Sequence, residues 1–321
     1  MTGFGIGIGV HKNTSISDPG TIVVPPIALV GWWDFTKINT LFVSRAGTTP
    51  VTSNGDEIGW VKNLAPGDGN GDRLGAFLRS YDDTSTYRPV FRTGGVNGYS
   101  YADFGVDGSG ASKIGLRGGY FNTADCNLDG GETATKFSDL NLNMEDCTIF
   151  IIAKHDTGIL GTSTKDTLIN LKGHGGGGTS DSSGTNFSLE NSVTDYMKWL
   201  YSDDTGIESV STFGSGPGTS LRCYTLLGGE GTNGMKLEVD GTQEDQDDSK
   251  EVTMNFSKED TAIGGSPRVS IGSYVVQASG ITSETWQGDI YEILVYKGLV
   301  SAWELSSLEW YINFKYGITF S

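Results

Sequence analysis

The chain has 321 residues, 48 of them glycine, roughly twice the ordinary share near 7%, and 39 acidic against 22 basic side chains give it a net charge of −17. That length holds one large β domain or two small ones with ample material for a core, and that charge excludes non-specific attraction to nucleic acid or to an anionic membrane. Cys126, Cys147 and Cys223 lack C-x-x-C spacing, which excludes a zinc or redox pair of that type and a disulfide-built scaffold. A Cys126–Cys147 bridge stays open on the sequence alone.

Residues 3–10 read GFGIGIGV, with Phe4, Ile6, Ile8 and Val10 alternating with glycine. A period of two is the strand period, with one apolar face and one nearly bare. A dinucleotide loop needs a strand before the glycines and a helix after them. A secretory leader needs basic residues before the apolar run, whereas the first charged residue here, Lys12, follows it. The segment is therefore read as an extended arm, either an edge strand of the chain's own sheet or a strand added to a neighbouring subunit. The stretch TIVVPPIALVGWW at 21–33 is too short for a membrane span and is broken by Pro25 and Pro26. Residues 1–30 are read as arm and linker, 31–321 as the folded domain.

From there the chain offers short apolar or alternating runs between turn signals: LVGWWDF, DEIGWVKNL, YSYADFG, CTIFIIAK, DTLINLK, NFSLEN, DYMKWLYS, LRCYTLL, GMKLEVDG, RVSIGSYVV and GDIYEILVYK. Such spacing, with Gly, Asn, Asp and Ser between the runs, predicts an all-β sandwich. Asp240-Gly241 predicts a tight hairpin, and GHGGGGTSDSSGTN at 173–186 reads as a Gly/Ser loop. A single helix is predicted over 301–317. Ser301 and Glu304 make a capping box, Leu305, Leu308 and Ile312 share a face, and Gly317 supplies the left-handed stop.

The closing stretch, 288–318, resembles the end of concanavalin A-like, laminin-G-like jelly rolls. The matches are Gly288, Ile290, Glu292, Tyr296, Leu299, Ser301, Glu304, Lys315, Tyr316 and Gly317, with Val300 inserted between Leu299 and Ser301. LVGWWDF, IGWVKNLA, YRP at 87–89, YADFG, CTIFIIAK and MKLEVDG are similar to that family's earlier strands, in the same order. The resemblance implies a concanavalin A-like jelly-roll β-sandwich with one C-terminal amphipathic helix behind the extended arm. Joined to the Gly-alternating start, it looks like virion proteins of tailed bacteriophages. That likeness implies a non-enzymatic structural protein on the exterior of the particle, a capsid decoration, cement or head-fibre component held by Phe4, Ile6, Ile8 and Val10. Its partners would be other virion proteins and copies of itself. The alternative is an adhesin whose lectin-like sandwich binds a host surface glycan through Tyr196, Trp199, Tyr201 and Trp286, aromatics able to stack on sugar rings.

The family this chain resembles includes glycoside hydrolases. Their E-x-D-x-x-E strand supplies nucleophile and acid. EVDGTQ offers Glu238 and Asp240, yet the third place is Gln243, which cannot protonate a leaving group. No catalytic residue is assigned and no cofactor is expected. Asp68, Asn70 and Asp72 in GDGNGDR are the candidate calcium ligands, with DCNLDGGE and EDQDD as weaker acid-rich runs. His11, His155 and His174 share no metal-ligand spacing.

Overall fold

The computed structural model describes residues 28–67, 73–80, 88–105, 114–119, 142–144, 146–156, 165–172, 184–190, 196–203, 206–212, 218–229, 234–247, 252, 254–255, 268–276 and 280–321. In chain order the strands begin with β1 (Leu29–Asp34), β2 (Leu41–Phe42), β3 (Trp60–Lys62), β4 (Phe77–Ser80), β5 (Val90–Arg92), β6 (Tyr101–Asp103) and β7 (Leu116–Gly119). They continue with β8 (Asn143–Met144), β9 (Cys147–His155), β10 (Lys165–Lys172), β11 (Gly184–Glu190), β12 (Tyr196–Asp203), β13 (Gly206–Ser211) and β14 (Arg222–Gly228). The last are β15 (Met235–Val239), β16 (Thr242–Asp247), β17 (Met254–Asn255), β18 (Arg268–Ile271), β19 (Ser273–Val276), β20 (Gly280–Thr285) and β21 (Gly288–Lys297), before helix α1 (Ala302–Tyr316).

Two sheets face each other. The smaller runs β16-β15-β14-β9-β21-β6-β5, with β1 also on β21; the larger runs β13-β12-β11-β10-β18-β7-β4-β3-β2, with β19 and β20 beside β10. Pairing is antiparallel throughout these paths, and one parallel bridge, Thr167 to Thr285, ties β20 to β10. Side chains from both sheets share one core: Trp33, Ile149, Ile151, Leu226 and Ile293 from the smaller, Val61, Leu78, Leu171, Phe187 and Trp199 from the larger. This is the jelly-roll sandwich the sequence predicts.

The continuous apolar character of β9 and β21 follows from burial on both faces. Ile149 and Ile151 enter the core between the sheets, while Phe150 and Ile152 join Leu308, Tyr311, Ile312 and Tyr316 of α1 on the far side. Burying each such side chain stabilises the fold by roughly 1.5–3 kcal/mol. A bulge between Ile290 and Glu292 shifts the β21 register. It lets Ile290 and Ile293 both point into the core while Tyr291 and Leu294 face the helix. The helix starts as predicted: the Glu304 amide donates to Ser301 Oγ at 3.4 Å and the Ser301 amide donates to Glu304 Oε2 at 2.7 Å. It stops at Gly317, whose φ of 72° is left-handed. Asp240 and Gly241 have φ of 51° and 80°, the two positive angles a tight hairpin needs.

Between α1 and the smaller sheet lies a closed polar cluster. Lys315 Nζ donates to Asp34 Oδ2 and Glu292 Oε2, both at 2.9 Å. Glu292 also accepts from Trp32 Nε1 at 2.6 Å, Tyr311 OH at 2.8 Å and Tyr316 OH at 2.7 Å. Asp34 accepts from the Thr36 amide and hydroxyl. Burial works against the Lys315 charge, yet the carboxylates of Glu292 and Asp34 hold its pKa above the ordinary lysine value. Thus the matched residues Glu292, Lys315 and Tyr316 do one job together, fastening the terminal helix to the first and last strands.

Two expectations change, and one thiol pairing is only half described. Residues 184–186 of the supposed Gly/Ser loop belong to β11, because Thr185 and Asn186 pair with Tyr201 and Leu200. Residues 244–247 of EDQDD lie in β16, where Asp245 Oδ2 accepts from the Ser211 amide at 3.0 Å. Cys147 and Cys223 are free buried thiols, and Cys126 lies outside the described residues.

Candidate functional site

Among the described residues, the two carboxylates of EVDGTQ are already engaged. Glu238 is buried and paired with Lys236 on its own strand. Asp240 sits at the hairpin, accepting from the Cys223 amide at 2.9 Å and from Arg222 Nη1 at 2.7 Å. Gln243 is exposed and carries no acid. Each carboxylate therefore holds a turn or a strand rather than flanking a reaction centre.

Of the four aromatics proposed for sugar stacking, Trp199, Tyr201 and Trp286 are buried in the core between the sheets. This corrects the reading of them as a contact surface, since a fully packed ring has no face to offer. Lys198 carries the signal that was missed: a charged residue between Met197 and Trp199 marks the outward parity of β12, so its odd-numbered neighbours must point inward. Tyr196, partly exposed, shares the outward parity with Lys198 and Leu200. Asp68, Asn70 and Asp72 lie outside the described residues, as do Phe4, Ile6, Ile8 and Val10. Among the described residues no group of three His, Cys, Asp or Glu side chains is placed to hold a metal ion.

A carboxylate-rich rim does exist at one end of the sandwich. Asp289 bonds Lys154 Nζ at 3.4 Å and Asp103 bonds Arg92 Nε at 3.0 Å. Burial, reinforced by Asp156 and Asp103, pushes the Asp289 carboxyl up to about 6. Close by in sequence, His155 Nε2 lies 3.1 Å from Asp166 Oδ2, and the His155 ring meets Trp286 edge-on at 4.9 Å. Both residues point inward from opposite sheets, so this pair ties the sheets together.

The face with a continuous chemical pattern is the outer one of the larger sheet. The outer face of the smaller sheet carries α1, whereas the larger sheet presents a row of register partners that share one side. From one edge the row passes Phe42, Trp60, Arg79 and Arg117. It then crosses Ser270, Asn170, Asn186 and Leu200 to Ser209. The inward side chains between them, Val61, Leu78, Leu116, Ile271, Leu171 and Phe187, are core residues, which fixes this row as the outward side. At its centre Arg117, Asn170, Asn186 and Ser270 are no more than 6% exposed. Asn170 Nδ2 donates to the Thr185 carbonyl and Asn186 Nδ2 to Ser188 Oγ, each at 3.2 Å. The Asn186 Oδ1 and Thr167 Oγ1 acceptors on this face are buried and unpaired, a condition that native structures rarely leave unanswered. The two ends are more open. Trp60 lies between Phe42, edge-on at 4.7 Å, and Phe77, stacked at 5.2 Å. Arg79 stands beside this aromatic group, and Lys198 with Tyr196 occupies the other end. No single segment announces this row, because each short strand contributes one or two residues.

No family model and no curated protein matches the sequence. Among solved structures, the chain is similar to the CBM40 domain of a Ruminococcus gnavus IT-sialidase bound to α2,3 sialyllactose, at 16% identity and a TM-score of 0.37, covering 52% of this chain and 83% of that one. It is also similar to domain 4 of AbnA, a GH43 extracellular arabinanase from Geobacillus stearothermophilus in complex with arabinotriose, at 14% identity and a TM-score of 0.41, covering 88% and 98%. A third is the native heptameric SAP-like pentraxin from Limulus polyphemus, at 10% identity and a TM-score of 0.37, covering 52% and 70%.

Proposed function

We propose that the chain is a non-catalytic, glycan-binding β-sandwich, and that the outer face of its larger sheet is the binding face. The observation that carries this reading is the pair of partly exposed ends of that row, Trp60 with Arg79 at one and Tyr196 with Lys198 at the other: aromatic faces and charged hydrogen-bond donors suited to the ring and hydroxyls of a saccharide, held apart by the buried Arg117, Ser270, Asn170 and Asn186. Hydrogen-bonding side chains fixed on strands are already oriented, so little conformational entropy is lost on binding. Trp60, Arg79, Lys198 and Tyr196 are the accessible contacts, and the buried amides between them hold the row in register. The engagement of Glu238 and Asp240 in turn and strand contacts supports the absence of hydrolysis.

Two of the solved structures similar to this chain hold sialyllactose and arabinotriose. An assembly role on a virus particle, the leading reading of the sequence, rests on the jelly-roll likeness joined to residues 3–10, and those residues lie outside the described ones. A glycan array of acidic and neutral saccharides, run with calcium and with chelator, tests the proposal. Binding to a defined saccharide class without release of reducing ends supports it; no saccharide bound in either condition sinks it.

A further inference from the structure

Helix α1 leaves an aromatic stripe uncovered. Its inner face carries Leu308, Tyr311, Ile312 and Lys315, whereas Trp303, Trp310 and Phe314 are 74%, 50% and 42% exposed. Trp310 and Phe314 stack at 5.6 Å with an interplanar angle of 23°. The positions are seven and four residues apart, so the rings lie in line over about 16 Å of helix at 1.5 Å per residue. Their combined free area is on the order of 300–400 Å², taking 150–250 Å² for each aromatic side chain. A patch of that size matches the largest on a typical monomer, which is often functional. The other exposed residues along it, Ser306 and Asn313, are uncharged.

We propose that this stripe is the docking surface for the apolar N-terminal segment of the same polypeptide, residues 3–10. Chemistry, reach and charge point to that occupant. In extended form Phe4, Ile6, Ile8 and Val10 project from one side of the segment, and no charged residue precedes Lys12. The described chain begins at Ala28, whose carbonyl accepts from the Lys297 amide at 2.8 Å. That point is five residues before the start of α1. The 17 residues from 11 to 27 span up to roughly 55 Å when extended, while a 15-residue helix is about 22 Å long. A second copy packed helix to helix would bring together two chains of net charge −17, a repulsion that an uncharged segment avoids. The surface is distinct from the proposed glycan face, on the opposite side of the sandwich.

The experiment is a double-mutant cycle on the full chain. One variant carries Phe4→Ser, Ile6→Ser, Ile8→Ser and Val10→Ser; the second carries Trp303→Ser, Trp310→Ser and Phe314→Ser; the third carries all seven. All the helix substitutions are at exposed positions, and circular dichroism checks that each variant folds. Docking predicts that the segment substitutions lower the thermal midpoint by roughly 3–6 °C in the native background and by under about 1 °C when the stripe is already gone. Acrylamide quenching of tryptophan emission rises with the segment substitutions alone. Equal shifts in both backgrounds, or no shift and no change in quenching in either, overturn the proposal. So does an oligomer that survives the segment substitutions and is lost with the stripe, since a second copy would then be the occupant. Sedimentation at one chain's mass supports docking of the chain's own segment; a multiple of that mass that the segment substitutions dissolve overturns the proposal, since the segment then crosses to a neighbour.

Discussion

Replacing Lys315 with methionine keeps the length and apolar stem of the side chain and removes the charge between two carboxylates. Asp34 and Glu292 have side chains with no solvent exposure, and each lies 2.9 Å from Lys315 Nζ. Removing one partner of a buried ion cluster costs about 3–5 kcal/mol, because the remaining charge has neither water nor counterion. The lower end of that range applies here. Glu292 keeps the donors of Trp32, Tyr311 and Tyr316, and Asp34 keeps the Thr36 amide and hydroxyl with Lys37 Nζ at 3.5 Å. Lys315→Met should therefore lower stability by about 3 kcal/mol. Lys37→Met removes only a cation 44% exposed at its side chain and should cost under about 1 kcal/mol. The assay is urea unfolding at pH 7, followed by near-ultraviolet circular dichroism, with the two variants side by side. A loss below about 1 kcal/mol for Lys315→Met, or equal losses for both, would refute the role given to this cluster. The raised pKa of Lys315 also sets a sign. Its contribution is complete below the unfolded lysine pKa and falls away as pH rises through the folded value, so the wild type should lose stability at strongly alkaline pH more steeply than Lys315→Met does.

Other consequences can be measured directly. The Asp289 carboxyl, raised to about 6 by burial, binds its proton more tightly folded than unfolded. Stability from that source is full below about pH 4 and declines as pH rises to about 6; Asp289→Asn should flatten that slope and add about 1–2 kcal/mol at pH 7, after the loss of the Lys154 contact. A slope unchanged by the substitution would contradict it. Gly272 has a φ of 74°, and a Cβ there would fall on the Phe104 ring, so Gly272→Ala should destabilise by at least about 2 kcal/mol, read as a drop in urea midpoint. Burial pushes the Cys147 thiol up to about 12 and raises that of Cys223 as well. Neither should react with a thiol reagent until the protein unfolds, and peptide mapping that finds either labelled in the native state would contradict their placement.

Local chemistry was legible from residues alone. Ser301, Glu304 and Gly317 delimit α1 because capping and the left-handed stop depend on neighbours three or four positions away, and Asp240-Gly241 makes its hairpin for the same reason. The alternation of CTIFIIAK and GDIYEILVYK was legible as strand, but not that both faces are buried, since that depends on where α1 packs. The partners of Glu292 and Lys315 were hidden by distance: Asp34 is 281 residues from Lys315. The aromatics were misassigned because Tyr196, Trp199 and Tyr201 lie on opposite faces of one strand. Only Lys198 between them reports which face is which. The outer row from Trp60 to Leu200 was the least legible feature, since it requires the strand order of the larger sheet, which joins β10 to β18 and β7 to β4 across long stretches of sequence.

The central claim is that the outer face of the larger sheet binds glycan. The measurement that tests it most directly is hydroxyl-radical footprinting of the chain with and without a saturating oligosaccharide selected on the array, read at single-residue resolution. The account predicts protection at Trp60, Tyr196 and Leu200, with Trp303 and Trp310 unchanged, and loss of that protection in Trp60→Ala with Arg79→Ala. Protection confined to α1 or to the loop ends of the sandwich, with the outer row unaffected, would contradict it.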